Sequence, residues 1–459
     1  MIRGWAALGA VGALALAVTA DFARAQTPGD ERAALETRVQ QLEQELALMK
    51  RRLEVEAETQ ASKPVQPVVS AGSDGFAIRS PDSKYVFRLR GYTHFDSRWF
   101  SDPPSNRPAG ADTFFFRRIR PIFEGTLAGV VDFRIMPDFA GSQLVVQDAY
   151  ANLRYLPEAQ LQFGKYKEPV GLERLQSATA MWFIERALPT QLVPNRDLGI
   201  MLQGNVREGM FAYQLAWMNG VGDAGSADTD VGDDKDLVGR IFVHPFQEAG
   251  IDSLQGLGVG ISTTYGRQEG ATPQYRTSGQ QVFFNFRGPT TGPVTPGVFQ
   301  TGKRVRYSPQ AYWYWGSFGL LGEYVSNSAD FRRAGFGDTR VDSSAWQISG
   351  AWAVTGENEL YRGLIPSSSF DPGNGSWGAV ELISRVSGLR VSNSAFTSNF
   401  ANPATAAQDA TLWSVGVNWY LNRFIKLGLN YDRTTFDNFG SNPDRATEGV
   451  ILSRLQLSF

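Results

Sequence analysis

The chain has no cysteine and only two histidines, His94 and His244. Disulfides, thiolate chemistry and zinc-ribbon sites are therefore excluded. After the first residues no run of about 18 apolar residues occurs, so no helix of this sequence is apolar enough to cross a bilayer. A dominant charge sign is also missing. The formal charge is −2 over 459 residues, which gives no global electrostatic case for nucleic acid. No cofactor and no metal is expected, and no enzyme: a nucleophilic site needs a base and an orienting group within reach, and alternation turns His94 inward beside arginines.

Glycine and phenylalanine are abundant, at 48 and 30 residues, while hydrophobic content is 42% and mean hydropathy −0.24. Transmembrane barrels look like this, because half of each strand faces water. Near the start, Arg3 precedes an apolar stretch, Trp5 to Thr19, and then Ala23-Arg24-Ala25. That order reads as a signal peptide over residues 1–25, with Gln26 opening the mature chain.

Leu35, Val39, Leu42, Leu46, Met49 and Leu53 follow heptad spacing between charged neighbours. Residues 26–60 are therefore expected as a periplasmic coiled-coil helix, and about three heptads need a partner helix to be stable. A single amphipathic helix lying on another surface fits the same pattern. Residues 61–80, rich in Pro, Ser and Val at their start, read as a linker.

Beyond Lys84 the period changes from heptad to two. Phe87, Leu89, Thr93, Phe95 and Trp99 share one face; Arg88, Arg90, Tyr92, His94, Asp96 and Arg98 share the other. The same alternation recurs in about sixteen segments. It ends in 448–459, where Ile451, Ser453, Leu455, Leu457 and Phe459 oppose Leu452, Arg454 and Gln456. Tight turns alternate with long loops at 101–112, 166–195, 219–235, 266–303, 327–343, 387–410 and 434–447, and 355–375 breaks the rule on the short side. The fold expected for 81–459 is all-β, a 16-stranded antiparallel transmembrane β-barrel of the outer membrane. The parity of Trp313, Trp315, Trp413 and Trp419 is outward, toward an interfacial aromatic belt.

A charge facing lipid at mid-bilayer costs ~2–4 kcal/mol, so the strand arginines belong to the lumen. Arg88, Arg90, Arg98, Arg118, Arg120 and Arg134 come from three consecutive strands and would form a basic wall. Arg154, Arg240, Arg306, Arg385 and Arg454 would extend it. Guanidinium forks suit phosphate and carboxylate oxygens, and weak sites in series draw anions through without trapping them. The competing arrangement pairs these arginines with Asp96, Glu124, Asp132, Asp138 and Asp148 as a polar wall. Asp223, Asp228, Asp230, Asp233, Asp234 and Asp236 crowd one loop; a solvated acidic loop is expected, with divalent-ion bridging to lipopolysaccharide as the alternative.

Phe163–Gly204 is too long for a turn and mixes aromatic with charged residues, so it should fold inward and narrow the bore. Arg174, Trp182, Phe183, Arg186 and Arg196 are its constriction candidates. Here the chain resembles the phosphate-selective porin O and P family. The resemblance rests on Gly164-Lys165-Tyr166-Lys167-Glu168-Pro169, Gly171-Leu172-Glu173, Phe183-Ile184-Glu185-Arg186 with Pro189, and Pro194-Asn195-Arg196-Asp197. Arg117-Arg118, Asp148-Ala149-Tyr150, Gly239-Arg240, Asn418-Trp419-Tyr420 and Arg454-Leu455-Gln456 add to it. It implies a homotrimer of outer-membrane barrels passing phosphate or other small anions. It adds Arg117, Lys165 and Lys167 to the anion path. Few lysines and an N-terminal heptad segment depart from the family's pattern, which shifts the expectation from phosphate specificity toward anion preference. A general porin of mixed selectivity, and a barrel tethering membrane to cell wall through the coiled coil, are the other functions this sequence fits.

Overall fold

The computed structural model describes residues 28–62, 66–72, 75–101, 111–230, 232–289 and 296–459. The expected leader lies outside them. The chain divides into two units, 1–66 and 67–459.

The first unit is one helix, α1, Pro28–Ser62. Its heptad residues are uncovered in the single chain: Leu35 is 65% and Met49 66% exposed.

The second unit is a cylinder of sixteen antiparallel strands. They are β1 (Val86–Phe100), β2 (Thr113–Leu127), β3 (Val131–Asp138), β4 (Val145–Leu156), β5 (Ala159–Lys167), β6 (Arg196–Val206), β7 (Phe211–Met218) and β8 (Asp236–Val243). The second half comprises β9 (Leu257–Gly270), β10 (Val298–Trp315), β11 (Phe318–Arg333), β12 (Gly337–Ala353), β13 (Ala379–Val391), β14 (Ala407–Tyr420), β15 (Ile425–Asn438) and β16 (Glu448–Ser458). Each pairs with its sequence neighbours, and β16 closes on β1 from Val450↔Phe100 to Ser458↔Tyr92. Closure satisfies the backbone of every strand, the condition for irregularity-free passage through lipid. Alternation sorts the side chains: along β10, Val305 and Tyr307 face out while Arg304, Arg306, Ser308 and Gln310 are buried.

Three local readings change. The stretch expected as a linker contains a hairpin, Val68–Gly72 with Gly75–Arg79, whose second arm pairs with Val86–Leu89 of β1. The loop expected over 327–343 is only a turn at 334–336, because β11 and β12 run on past the apolar band. The excursion between β12 and β13 holds two short strands, Phe370–Asp371 and Ser376–Trp377, and part of it turns into the barrel.

The interior is filled on one side. A hairpin in the fifth loop, Gln274–Arg276 with Val282–Asn285, packs Phe283, Phe284 and Phe286 against Phe396, Phe400 and Phe331; the Phe286 and Phe331 rings stack at 4.4 Å. This apolar mass joins Leu188, Leu192 and Val193 of the third loop, leaving open space along the opposite wall.

Candidate anion passage

The open space is a cavity of about 1070 Å³. Its lining runs from Gln147 near the start of β4 and the loop residues Asn195 and Arg276 at one rim to Arg362, Arg423 and Phe459 at the other. The cations on it are Arg90, Arg117, Arg118, Arg120, Arg134, Lys167, Arg174, Arg186, Arg196, Arg276, Arg362, Arg423 and Lys426. The carboxylates are Asp138, Asp148 and Glu185.

One wall comes from β1 to β3. His94 lies opposite Arg118, yet Phe95 lies opposite Phe116, so Arg117 is an extra residue in β2. Such a bulge re-aims a side chain. Here it lets two successive arginines reach the cavity while Phe114 and Phe116 stay outside. Arg118 Nη1 lies 3.2 Å from Nδ1 of the buried His94. Arg120 donates to Asp138 (2.7 Å) and to the Tyr92 hydroxyl (3.0 Å). Arg90 and Arg134 share one carboxylate, Glu124, at 3.4 and 3.3 Å.

The facing wall is the third loop, residues 168–195. Gly171, with φ +78°, turns the chain inward, a conformation that strains any residue with a Cβ. A short helix, Leu172–Leu175, follows. The loop crosses the bore and is pinned on the far side. Leu172 N–H donates to Glu323 (2.6 Å), Asn418 to the Trp182 carbonyl (2.8 Å), Lys426 to that of Met181 (2.8 Å) and Gln456 to that of Thr179 (3.2 Å). The β12–β13 excursion supports it from the other rim. Tyr361 donates to the Leu172 carbonyl (2.6 Å), Trp182 Nε1 to Glu359 (3.3 Å), and Gly363 passes against Ala180.

Three cations of this wall spend their donors on carbonyls. Lys167 Nζ reaches Leu175 and Gln176 (3.2 and 2.8 Å), Arg186 reaches Glu173 and Gln176 (3.1 and 3.0 Å), and Arg174 reaches Thr190. Among the described residues none of the three has a carboxylate in ion-pair range. Burial, with Arg186 and Arg196 close by, lowers the Arg174 guanidinium to about 9. Glu185 is the loop's counter-charge. Burial opposes its ionisation, but Arg117, at 2.5 and 3.3 Å, outweighs that and holds the carboxyl at about 2.

The other expected site residues lie away from the passage or, for Arg196, are neutralised on it. Arg88 is exposed at the far end of β1, opposite Glu124. Arg98 covers the Phe115 ring at 5.0 Å. Lys165 is buried against Asp228 of the fourth loop, and Arg240 bonds Gln214 and Gln310. Arg196 lines the cavity but is paired with Asp148 at 2.8 Å. Trp182 and Phe183 pack away from the passage, against Tyr314, Leu321, Ala351 and Ile383.

Around the rest of the barrel, Arg306, Arg385 and Arg454, expected to extend the basic patch, are buried in ion pairs instead, as is Arg304, while Arg154 is paired but exposed. Arg304 meets Asp236 at 2.8 Å, and Arg306 meets Asp223 at 2.5 Å. Arg454 is bidentate to Asp96 at 2.7 Å, Arg385 lies between Glu173 and Asp432, and Arg154 meets Asp132 at 2.9 Å. Asp223, in the fourth loop, and Asp236, at the start of β8, are thus buried in ion pairs rather than solvated. Arg276, Arg362, Arg423 and Lys426 were not anticipated on the passage. The first three stand in loops and turns, where no alternation assigns a side, and Lys426 is a lone lysine on β15.

A closed sixteen-strand cylinder with a water-accessible bore narrowed by an inward loop defines a porin of the outer membrane. The pattern of the family described as phosphate-selective porin O and P matches residues 87–459, and the chain belongs to that family. Porin O of Pseudomonas aeruginosa is 23% identical over 416 residues, which are 85% of this chain and 92% of that protein. Among solved structures, the outer membrane channel DcaP of Acinetobacter baumannii superimposes with TM-score 0.53 at 11% identity, over 83% of this chain and 99% of that one. OmpT of Vibrio cholerae gives 0.50 at 11% identity, over 82% and 98%. At these identities the two structures speak to the fold alone.

Proposed function

We propose that this porin gives passive, anion-selective diffusion, with phosphate or polyphosphate among its solutes, through an arginine-lined passage narrowed by the third loop. The observation that carries this reading is the imbalance of charge on the cavity, where cations from Arg90 to Lys426 face three carboxylates. A unit charge at 4 Å contributes ~4 kcal/mol at an effective dielectric of 20, before desolvation is subtracted, so a few unneutralised cations decide the sign of selectivity. Replacing Arg118 and Arg134 by Glu tests it. Reversal potentials across planar bilayers should move toward potassium, and an unchanged potential would show that this wall does not govern selectivity.

The reading includes a homotrimer in contact with lipid and lipopolysaccharide, with α1 in the periplasm gathering the three chains. The exposed seam of Leu35, Leu42, Leu46 and Met49 supports that role for α1. It also favours a second function, a tether to the cell wall. Deleting residues 30–60 separates the two: a tether loses envelope attachment while conductance persists.

A further inference from the structure

The wall of the passage changes character between β3 and β5. Past the arginines it becomes a row of neutral amides. Gln160 lies opposite Gln203, Gln203 opposite Gln214, and Gln214 opposite Arg240 across four consecutive strands. Beyond Arg240 the row continues through Ser262 and Ser308. Among the described residues no carboxylate stands in this row.

The amides are bonded to one another and held in place. Asn152 donates to Gln160 (2.7 Å), Gln203 Nε2 donates to Gln162 (3.1 Å) and Asn152 (3.4 Å), and Arg240 donates to Gln214 (3.2 Å). An amide has two donors and two acceptor lone pairs. The network uses the oxygen of Gln162 and the nitrogen of Gln203. Among the described residues no further partner meets the Gln162 Nε2 or the Gln203 Oε1, and Gln162, Gln203 and Gln214 all line the passage. Such a surface carries no net charge and adds only hydrogen bonding to the attraction of a bare ion. It offers both donors and acceptors to a solute that carries hydroxyl groups.

We infer that the passage favours phosphorylated polyols, with the phosphate on the arginine wall and the hydroxylated body on the glutamine wall. This rests on the anion-selective reading and narrows it to a solute class. A polyol phosphate reaches both walls, inorganic phosphate engages only one, and an aryl phosphate of similar size places an apolar body against amides that it cannot satisfy.

The test is block of the single-channel chloride current by glucose 6-phosphate, inorganic phosphate and phenyl phosphate, added one at a time to the intact protein. Glucose 6-phosphate should block at about tenfold lower concentration than phenyl phosphate, the factor that one or two net hydrogen bonds supply. The triple variant Gln162→Leu, Gln203→Leu, Gln214→Leu should bring the two together. Equal block by glucose 6-phosphate and phenyl phosphate in the unaltered protein overturns the proposal, with no need for the variant to fold. Persistence of the difference in a folded variant overturns it as well. A channel that prefers potassium over chloride from the outset overturns the underlying anion reading instead, so the two failures are told apart.

Discussion

Glu185 shows how one residue sets the local field. It is the carboxylate that the third loop presents to Arg117, and it is held at about 2 by that pairing against the cost of burial. A carboxyl whose folded-state value is depressed stabilises above the ordinary carboxylate range and loses that contribution as pH falls through the depressed value. The Arg117–Glu185 pair should therefore persist from neutral pH down to about pH 3, and this group should add no pH dependence to selectivity over that window. Glu185→Gln frees a guanidinium. It should favour chloride about fivefold, the Boltzmann factor of ~1 kcal/mol for one charge at 4 Å in bulk-like water, and disfavour potassium by a like factor, so the chloride-to-potassium permeability ratio rises. A ratio that stays constant would mean that Arg117 does not act on passing ions. Asp96→Asn does something different. It strands the buried Arg454 without its partner and should destabilise the barrel by ~3–5 kcal/mol in a denaturant titration. Asp132→Asn removes the half-exposed partner of Arg154 and should cost under about 1 kcal/mol.

At the scale of elements, the third loop matters through what grips it. Trp182 is clasped by Tyr314, Glu359 and Asn418, which come from the wall and from the β12–β13 excursion. Trp182→Ala opens a buried void at a cost of ~3–5 kcal/mol and should loosen the loop. Single-channel recordings should then show larger and noisier conductance, whereas a quiet, unaltered current would mean that the loop is held mainly by its polar bonds. Gly363→Val attacks the same contact from the excursion. Its φ of +98° strains any residue with a Cβ, and a Cβ there would lie 3.2 Å from Ala180, tighter than ordinary contact.

The strands were legible in the sequence because lipid outside and water inside impose a period of two. That signal fades where both faces are wet. Asn327, Ser328, Asp330, Arg332 and Arg333 continue β11 beyond the apolar band, so they read as loop although they are paired with β12. Ion pairing was not legible for a different reason. Arg454 and Asp96 are 358 residues apart and meet only because β16 closes on β1. The inward parity of both was readable, but their being neighbours was not. The bulge that turns Arg117 inward and the crossing of the third loop likewise depend on partners chosen by the closed barrel.

At the scale of the whole molecule, the interior is divided into a packed half and an open half. Phenylalanines of the fifth and seventh loops and the buried ion pairs fill the first. The second is bounded by the strands β1 to β7, by residues of β14 to β16 and of the β12–β13 excursion, and by the third loop. On the proposed reading, selectivity depends on which cations have their charge left over, and much less on how many arginines the chain contains. α1 belongs to this scale too. If its seam gathers three chains, removing residues 30–60 should lower the temperature at which trimers dissociate on a gel. An unshifted dissociation temperature would assign trimer stability to the barrels alone.

The most direct measurement is the zero-current potential of the unaltered channel under a tenfold gradient of potassium chloride, recorded in a planar bilayer at neutral pH. Unneutralised guanidinium and ammonium groups along the bore predict a potential whose sign reports chloride as the more permeant ion. A potential of opposite sign, with potassium passing more freely, would contradict the account at its root.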